Sequence, residues 1–191
     1  MLKELVHRNR SYRRFYQQAS IEMETLRELV ELARLSPSAA NRQPLKFALF
    51  NDPESCGRIF PYLAWAGYLR DWEGPMEGER PAGYVVILGD STISENLDCD
   101  HGIAVQTMLL GAVEQGLGGC IIGSIDREGL RSALGLADDL RILLVLALGV
   151  PAEEVVLEEA TDSIEYYRDA DGVHHVPKRP LRELIVSQGG E

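Results

Sequence analysis

The segment 101–117 constrains the fold most, because its apolar residues do not keep to one face of a helix. Ile103 and Met108 lie on one side of a helix drawn through it, and Leu109 and Val113 lie on the other. A helix that is apolar nearly all round needs cover on every side, in the centre of a large core or at a subunit interface. The segment therefore predicts either a central helix or a helix that a second subunit covers.

The composition narrows the class of protein. A length of 191 residues, with 45% hydrophobic and 26% charged residues, suits one soluble domain. The net charge of −11 disfavours nucleic-acid binding, because an acidic surface repels phosphates. The three cysteines have no CxxC spacing, which favours a reducing compartment and argues against zinc. We see no signal peptide and no apolar run of about 20 residues, so we expect a cytoplasmic protein that does not associate with a membrane. We also expect no bound metal.

Hydrophobic periodicity, caps and turn residues predict a mixture of helices and strands. Helices are expected at 2–8, from Ser20 as N-cap to before Pro37, at 101–117, and from Asp126 as N-cap to 134. Strands are expected at 45–50, 84–88, 119–122 and 141–148, with a hairpin at 166–176 that turns at Gly172. We predict the α+β class, with a mixed central sheet flanked by helices in a single domain, residues 1–191.

Residues 71–83 are rich in Gly, Pro and charge, which predicts a loop. Together with residues 61–70 just before them, they are expected to form a lid-like excursion at about 61–83 that covers a pocket. Trp65 and Tyr68 would then stack on a flat substrate in that pocket. The alternative is that these aromatic side chains pack in a core or within the lid, and the sequence leaves both interpretations open.

Four arginines lie within seven residues near the start of this acidic chain, and the group includes Arg10, Ser11 and Arg13. A guanidinium presents a fork of donors and a serine adds a hydroxyl, so the group suits a phosphate or a ring carbonyl. The alternative is a solvated basic face that pairs with surface carboxylates.

A loop between a predicted helix and a predicted strand is the second candidate. Ser38, Asn41 and Gln43 place hydrogen-bonding groups on a stretch that prolines stiffen, as a polar heterocycle would need. The alternative is an ordinary loop whose side chains cap its own backbone.

The glycine-rich run 116–123 is the third candidate. It is not the GxGxxG motif of dinucleotide-binding folds, because position 121 is Ile and the glycines follow a helix and enter a strand. Backbone amides near Ile122 and Gly123 would instead face a planar ring, since glycine allows close approach. The alternative is a helix end followed by a tight turn.

Lys178 and Arg179 form the last candidate, either as part of a phosphate site or as a surface turn. The sequence holds no GxSxG elbow, no evident pair of catalytic acids and no metal-ligand spacing. We therefore assign no certain catalytic residue and no metal.

Four segments, in this order, resemble the nitroreductase family of FMN-dependent oxidoreductases. They are Arg10-Ser11-x-Arg13-x-Phe15, Pro37-Ser38-x-x-Asn41-x-Gln43-Pro44, Gly116-Leu117-Gly118 leading to Ile122-Gly123, and Lys178-Arg179-Pro180-Leu181. Each motif is short, but the four span almost the whole chain with compatible spacing.

The resemblance implies a nitroreductase-like α+β fold and an intertwined homodimer with two FMN sites at its interface. It also implies ping-pong chemistry, in which NADH or NADPH donates hydride to flavin N5, leaves, and is replaced by a nitroaromatic, a quinone or a similar electron-poor acceptor. No nucleic-acid or membrane partner is implied. Two other functions stay open: reductive dehalogenation or ring reduction on the same scaffold, and flavin binding without turnover.

The resemblance also assigns roles residue by residue. Arg10 and Ser11 are similar to the first flavin contacts, and Arg13 to the cation at the pyrimidine edge of the ring. The remaining cofactor-binding residues are similar to a stretch from the partner subunit (Ser38, Ala39, Asn41, Gln43), to amides facing N5 and O4 (Ile122, Gly123) and to phosphate contacts (Lys178, Arg179). Two departures from the family pattern are Leu45, where an aromatic residue is common, and the order Lys then Arg at 178–179.

Overall fold

The computed structural model describes residues 1–189. Its helices are α1 (Leu2–Arg8), α2 (Met23–Arg34), α3 (Pro53–Ile59), α4 (Asp100–Glu114), α5 (Arg127–Leu134) and α6 (Leu181–Leu184), with 3-10 turns at Ala39–Asn41 and Phe60–Tyr62. Its strands are β1 (Leu45–Phe50), β2 (Gly83–Asp90), β3 (Gly118–Ile122), β4 (Leu140–Gly149), β5 (Val155–Glu159), β6 (Tyr167–Arg168) and β7 (His174–Lys178). The predicted α+β class is confirmed.

Two sheets organise these elements. The central sheet has the spatial order β1-β2-β4-β3, and all its pairs are antiparallel. In the smaller sheet, β5 pairs with β7 in parallel, and β6 pairs with β7 antiparallel. The central sheet was expected to mix parallel and antiparallel strands. Its strands pair antiparallel, and the parallel strand pair, β5 with β7, lies in the smaller sheet. Residues 160–173 join β5 to β7, which is long enough for the crossover that parallel strands need.

Side chains alternate between the two faces of the central sheet and build two cores. Val85 and Ile87 of β2 pack with α2 and α4 on one face. Tyr84, Val86 and Leu88 pack on the other face, with α3, α5 and the residues after α3. This period of two is the strand pattern, and cover on both faces explains why β2 is buried along nearly its whole length.

The helix predicted near 101–117 is α4, and its apolar residues lie on nearly all of its sides. Val105, Met108 and Ala112 are fully buried against the sheet and α2. Ile103 and Leu110 are only half-buried, so one side of α4 is incompletely covered within one chain. No helix among residues 1–189 combines the length and apolarity needed to cross a membrane.

Local signals place some boundaries and miss others. The Asp126 carboxylate accepts a hydrogen bond of 3.0 Å from the Gly129 N–H and begins α5 as predicted. Gly172 turns the β6–β7 hairpin with a φ of +83°, a conformation that favours glycine. The prediction for Ser20 is wrong: α2 begins at Met23, because the core buries Ile21 before the helix starts.

The patterns in the sequence did not predict α3 and β5. α3 carries a detectable signal, since the Asp52 side chain accepts a 2.8 Å hydrogen bond from the Ser55 N–H and Pro53 opens the helix. β5 has alternating half-buried and exposed residues, and its pairing with β7 depends on the tertiary fold.

Candidate functional site

The arginine segment, residues 8–14, lies along the outer edge of β3. Ser11 pairs with Gly119, and the Tyr12 N–H donates a 3.0 Å hydrogen bond to the Gly119 carbonyl. Phe15 anchors the end of the segment in the core, where it packs on Gly149 so closely that a Cβ there would lie 2.7 Å from the Phe15 ring. The segment is thus held at both ends, and its arginines are not a freely solvated face.

A buried carboxylate orders the middle of the segment. Glu153, whose side chain is 2% exposed, accepts hydrogen bonds from the Arg13 N–H and, at 3.1 Å, from the Arg14 N–H. It also accepts a 2.8 Å hydrogen bond from Arg168 Nη2, a charged and nearly buried partner. One side chain from the segment after β4 therefore joins the arginine segment to β6.

The Arg13 guanidinium has a defined position. Its Nη1 donates to the Ser11 carbonyl at 3.2 Å and to His174 Nε2 at 3.3 Å, and its Cζ atom lies 4.8 Å from the centre of the Tyr166 ring. Burial, followed by the nearby positive charge of Arg13, lowers the pKa of His174 to about 4. His174 is therefore neutral near pH 7 and accepts the hydrogen bond, while the rest of the guanidinium stays available to a ligand.

Arg10 and the edge of β3 offer groups that the described residues leave unsatisfied. Arg10 Nη2 donates to the Val6 carbonyl at 2.6 Å, but its buried Nε atom has no hydrogen-bond partner among residues 1–189. Burial lowers the pKa of Arg10, which remains charged. Backbone groups alternate along a strand, so Ile121, two residues after Gly119, also faces the open edge, whereas Ile122 faces β4. Gly123 follows at the end of the strand and is exposed.

The loop 38–43 is held at the start of α4. The Ser38 hydroxyl donates to the Asp100 carboxylate at 2.6 Å, and the Ala39 N–H donates to the same group at 3.0 Å. Gln43 in turn donates its backbone N–H to Ser38 Oγ at 2.9 Å. Asn41 and Gln43 have φ values of +54° and +52°. This left-handed conformation is common for Asn, but it costs Gln43 about 1 kcal/mol or more.

Within one chain, this loop and the arginine segment lie at opposite ends of α4. Asp100 begins the helix, and Arg8 Nη2 donates to the carbonyl of Val113 near its end, at 3.2 Å. At 1.5 Å per residue these ends are about 20 Å apart. No hydrogen bond joins the two groups among the described residues, so one protomer alone does not bring them to a common site.

Lys178 and Arg179 lie near the C-terminal sheet. Lys178 ends β7, four residues after His174, which places it about 13 Å along the strand from the Arg13 contact. Both side chains are exposed, and neither forms an ion pair within the part of the chain that the structure describes. Lys178 is thus the last residue of the small sheet that contacts Arg13, and Arg179 follows it directly.

The two predicted pocket aromatics have different environments. Trp65 is 8% exposed and lies in the second core, with its ring centre 6.0 Å from that of Phe60. Tyr68 is 47% exposed and meets the Tyr166 ring edge-on at 4.9 Å. The excursion 61–83 therefore contacts the same residue, Tyr166, that stacks on Arg13.

Sequence reasoning missed the residues that hold this arrangement together, namely Glu153, His174, Tyr166 and Asp100. A pair such as Arg13 and His174 is 161 positions apart, and no local pattern links the two. Asp100 had a usable signal, because an acidic residue at the start of an apolar helix favours a capping or anchoring role.

The Nitroreductase family model matches residues 6–150. The chain belongs to the nitroreductase family. This match includes the arginine segment, the loop 38–43 and β3, and it stops before the small C-terminal sheet. The resemblance that the sequence motifs suggested is therefore confirmed for the segments up to Gly123.

Relatives of this nitroreductase-family chain match most of its length. An Archaeoglobus fulgidus protein provisionally named NADH dehydrogenase/NAD(P)H nitroreductase is 26% identical over 169 residues, covering 83% of this chain and 90% of the relative. A provisionally named nitroreductase from Desulfovibrio desulfuricans, solved in complex with FMN, has a TM-score of 0.71 at 24% identity and covers 100% of this chain and 98% of its own. The NADPH:FMN oxidoreductase from Vibrio harveyi complexed with NAD⁺ has a TM-score of 0.67 at 20% identity. The match covers 99% of this chain and 77% of the Vibrio chain.

Proposed function

We propose that this chain is an FMN-dependent oxidoreductase that takes electrons from NADH or NADPH and passes them to a nitroaromatic, a quinone or a similar electron-poor acceptor by a ping-pong sequence. The observation that carries the proposal is the position of the arginine segment on the open edge of β3, in a chain of the nitroreductase family. The names of the relatives add support, since they include an NAD(P)H nitroreductase and a protein solved with FMN.

The residues present fit FMN. The Arg10 guanidinium, whose Nε has no partner among residues 1–189, suits a phosphate or ring oxygen, and Ser11 adds a hydroxyl beside it. Lys178 and Arg179 would neutralise the phosphate, while backbone groups of Ile121 and Gly123 would line the ring, because the backbone of Ile122 between them faces β4. When bound, FMN supplies hydride transfer at N5.

Arg13 has the main electronic role in this proposal. A fixed positive charge at the pyrimidine edge stabilises the negative charge that reduction places on the ring. Neutral His174 and the Tyr166 ring keep the guanidinium in place without competing for its charge. No side chain is needed as a catalytic acid, because water can supply protons.

We propose a homodimer in which each FMN lies between the arginine segment of one protomer and the loop 38–43 of the other. The separation of about 20 Å along α4 favours this arrangement over a site within one protomer. The half-buried Ile103 and Leu110 offer an apolar face for the second copy. In the same proposal, residues 1–191 form one FMN-binding domain, and the excursion 61–83 covers the acceptor side with Tyr68, while Trp65, expected beside the substrate, packs in the second core instead.

Subunit mixing tests the shared site. Arg13→Ala and Gln43→Ala homodimers should each bind FMN weakly. Exchanging their subunits creates hybrid dimers with one intact site, so FMN binding and NADPH oxidation should recover. Mixing two batches of the same variant is the control. Absence of recovery in verified hybrid dimers would show that both residues act within one protomer.

The visible spectrum of the purified protein tests the cofactor and the donor. With added FMN the protein should retain a flavin spectrum through gel filtration, and anaerobic NADH or NADPH should bleach it. A protein that stays colourless refutes the proposal, and a bound flavin that neither nucleotide bleaches indicates a binding protein without turnover. Reoxidation by nitroaromatic, quinone and halo-aromatic acceptors then separates the reaction classes.

A further inference from the structure

Beyond the end of β3, a cavity of about 430 Å³ opens between α5, the start of α4 and the first residues of β4. Three arginines, one histidine and two apolar residues line it: His101, Arg127, Arg131, Arg141, Ile142 and Leu143. The chain has a net charge of −11, yet none of the described residues that line this cavity is Asp or Glu. A concave surface with charge of one sign raises the local concentration of ions of the other sign, so this cavity attracts anions.

The pairing of the central sheet explains why arginines gather here. β3 pairs with residues 145–149 of β4, so carbonyls at the start of β4 that face the same side have no partner in a strand. The arginines of α5 supply one. Arg131 Nη2 donates to the Leu140 carbonyl at 2.7 Å, and Arg127 Nε donates to the Ile142 carbonyl at 3.1 Å. These contacts fix the positions of both guanidinium groups.

The same contacts leave the positive charges uncompensated. Arg141, on β4 itself, also donates to a backbone oxygen, the Glu95 carbonyl, at 3.1 Å. Every hydrogen bond of the three guanidinium groups within residues 1–189 goes to a neutral carbonyl, and none goes to a carboxylate. Glu128, one helical turn before Arg131, is exposed and is not among its partners.

The spacing of these charges suits a dianion. Arg131 and Arg127 hold carbonyls that are two residues apart on β4, about 7 Å along the strand, and Arg141 lies between these two positions. Three like charges this close repel one another, and a group with two negative charges relieves the repulsion. Arg127 and Arg141 are exposed, and Nη1 of each donates to no described residue, so a ligand can reach them. A phosphate monoester has this charge and three acceptor oxygens.

The cavity adjoins the proposed flavin site without overlapping it. No residue assigned to FMN lines it, yet Arg127 Nη2 donates to the carbonyl of Gly123, beside the proposed flavin ring, at 3.2 Å. The cavity also faces away from the proposed partner subunit. His101 precedes Ile103 by two residues, or about 200° around α4, so the two side chains lie on opposite sides of that helix.

We infer that this cavity binds the 2′-phosphate of NADPH and thereby makes NADPH, rather than NADH, the preferred reductant. The inference rests on the proposed function, because the nicotinamide must lie on the flavin ring beside Gly123 to deliver hydride. The 2′-phosphate is attached to the adenosine ribose, at the other end of the nucleotide, so it suits a cavity that adjoins the ring without touching it. NADH has a hydroxyl at this position and gains little from three guanidinium groups.

Calorimetry on the FMN-loaded protein tests recognition of the phosphate. Adenosine 2′,5′-bisphosphate is the probe, and adenosine 5′-monophosphate, which lacks the 2′-phosphate, is the control. The bisphosphate should bind at least tenfold more tightly, because the added group accepts charge-assisted hydrogen bonds. Equal affinities, or no heat from either compound, would overturn the inference. Inorganic phosphate that binds as tightly as the bisphosphate would also overturn it, since the cavity would then hold a free anion and not the nucleotide.

Substitutions at Arg141 test the location. Arg141→Gln should lower the ratio of kcat/KM for NADPH to that for NADH about tenfold, and should weaken binding of the bisphosphate by a similar factor. Arg141→Lys keeps the charge and should restore part of both. The control is Arg58→Gln, which removes an exposed charge from α3, outside the cavity, and should change neither. Equal effects of Arg58→Gln and Arg141→Gln would refute the location, because the net charge would then account for them.

The outcomes separate this inference from the proposed function. If NADH and NADPH bleach the flavin equally well, and Arg141→Gln leaves their ratio unchanged, the role of the cavity is refuted and the oxidoreductase proposal stands. If neither nucleotide bleaches the flavin, the oxidoreductase proposal fails, and NADPH as reductant fails with it.

Discussion

Replacing Glu153 by Gln tests whether the small C-terminal sheet fixes the arginine segment. The wild-type carboxylate is buried and accepts from the Arg13 and Arg14 amides and from Arg168. Glutamine keeps the shape of the side chain but removes its charge, and its amide group turns a donor toward other donors. Arg168, whose side chain is 12% exposed, then keeps a buried charge without a counter-charge.

The expected loss of stability follows from this geometry. Removing one partner of a buried ion pair costs about 3–5 kcal/mol, because the remaining charge stays desolvated. For a chain of this length, each kcal/mol lowers Tm by about 2–4 °C, so Tm should fall by roughly 10 °C. The affinity for FMN should fall as well, because the backbone on both sides of Arg13 loses its anchor.

Urea unfolding followed by circular dichroism measures the free energy of unfolding, and FMN titration measures the affinity for FMN. Glu165→Gln is the matched control, since Glu165 is exposed and its side chain forms no ion pair among the described residues. The double variant Glu153→Leu with Arg168→Met should regain part of the stability, because no unpaired charge remains. A loss below about 1 kcal/mol for Glu153→Gln would refute the reasoning, since it would match an exposed pair.

Three further predictions concern the proposed site and its supports. Arg13→Ala should weaken FMN binding by about 1.5–3 kcal/mol, the usual contribution of a charged hydrogen bond, as measured by fluorescence titration; unchanged affinity and reduction rate would remove its assigned role. Asp100→Asn should free the strained loop 38–43 and weaken FMN binding more than Asp98→Asn, a neighbouring exposed control. Because the folded-state pKa of His174 is lowered to about 4, from about 6.5 when unfolded, the unfolded chain binds the extra proton between these values. The free energy of unfolding should therefore fall by up to about 3 kcal/mol as pH drops from 6.5 to 4, and His174→Gln should flatten this dependence in urea titrations.

Local chemistry in the sequence was enough for several elements of the fold. The apolar segment near 101–117 predicted a helix that needs cover on nearly every side, and α4 is a helix that one chain covers except around Ile103 and Leu110. The Asp126 cap and the Gly172 turn follow from a side-chain acceptor and from a positive φ, which neighbouring residues alone decide. The prediction of Ser20 as an N-cap was wrong because capping competes with core packing. Ile21 is buried in the core, and the helix begins after it.

The candidate site also combines features that the sequence shows with features that only the tertiary structure decides. The sequence determined where the cations are, since four arginines in an acidic chain stand out without any structure. Only the tertiary structure decided what holds them, because Glu153 and His174 reach Arg13 across 140 and 161 positions. It also decided that Trp65 lies in a core and Tyr68 at the surface, since burial depends on what folds over a side chain. Residue type sets the chemistry that a group can perform, and long-range packing sets which groups meet.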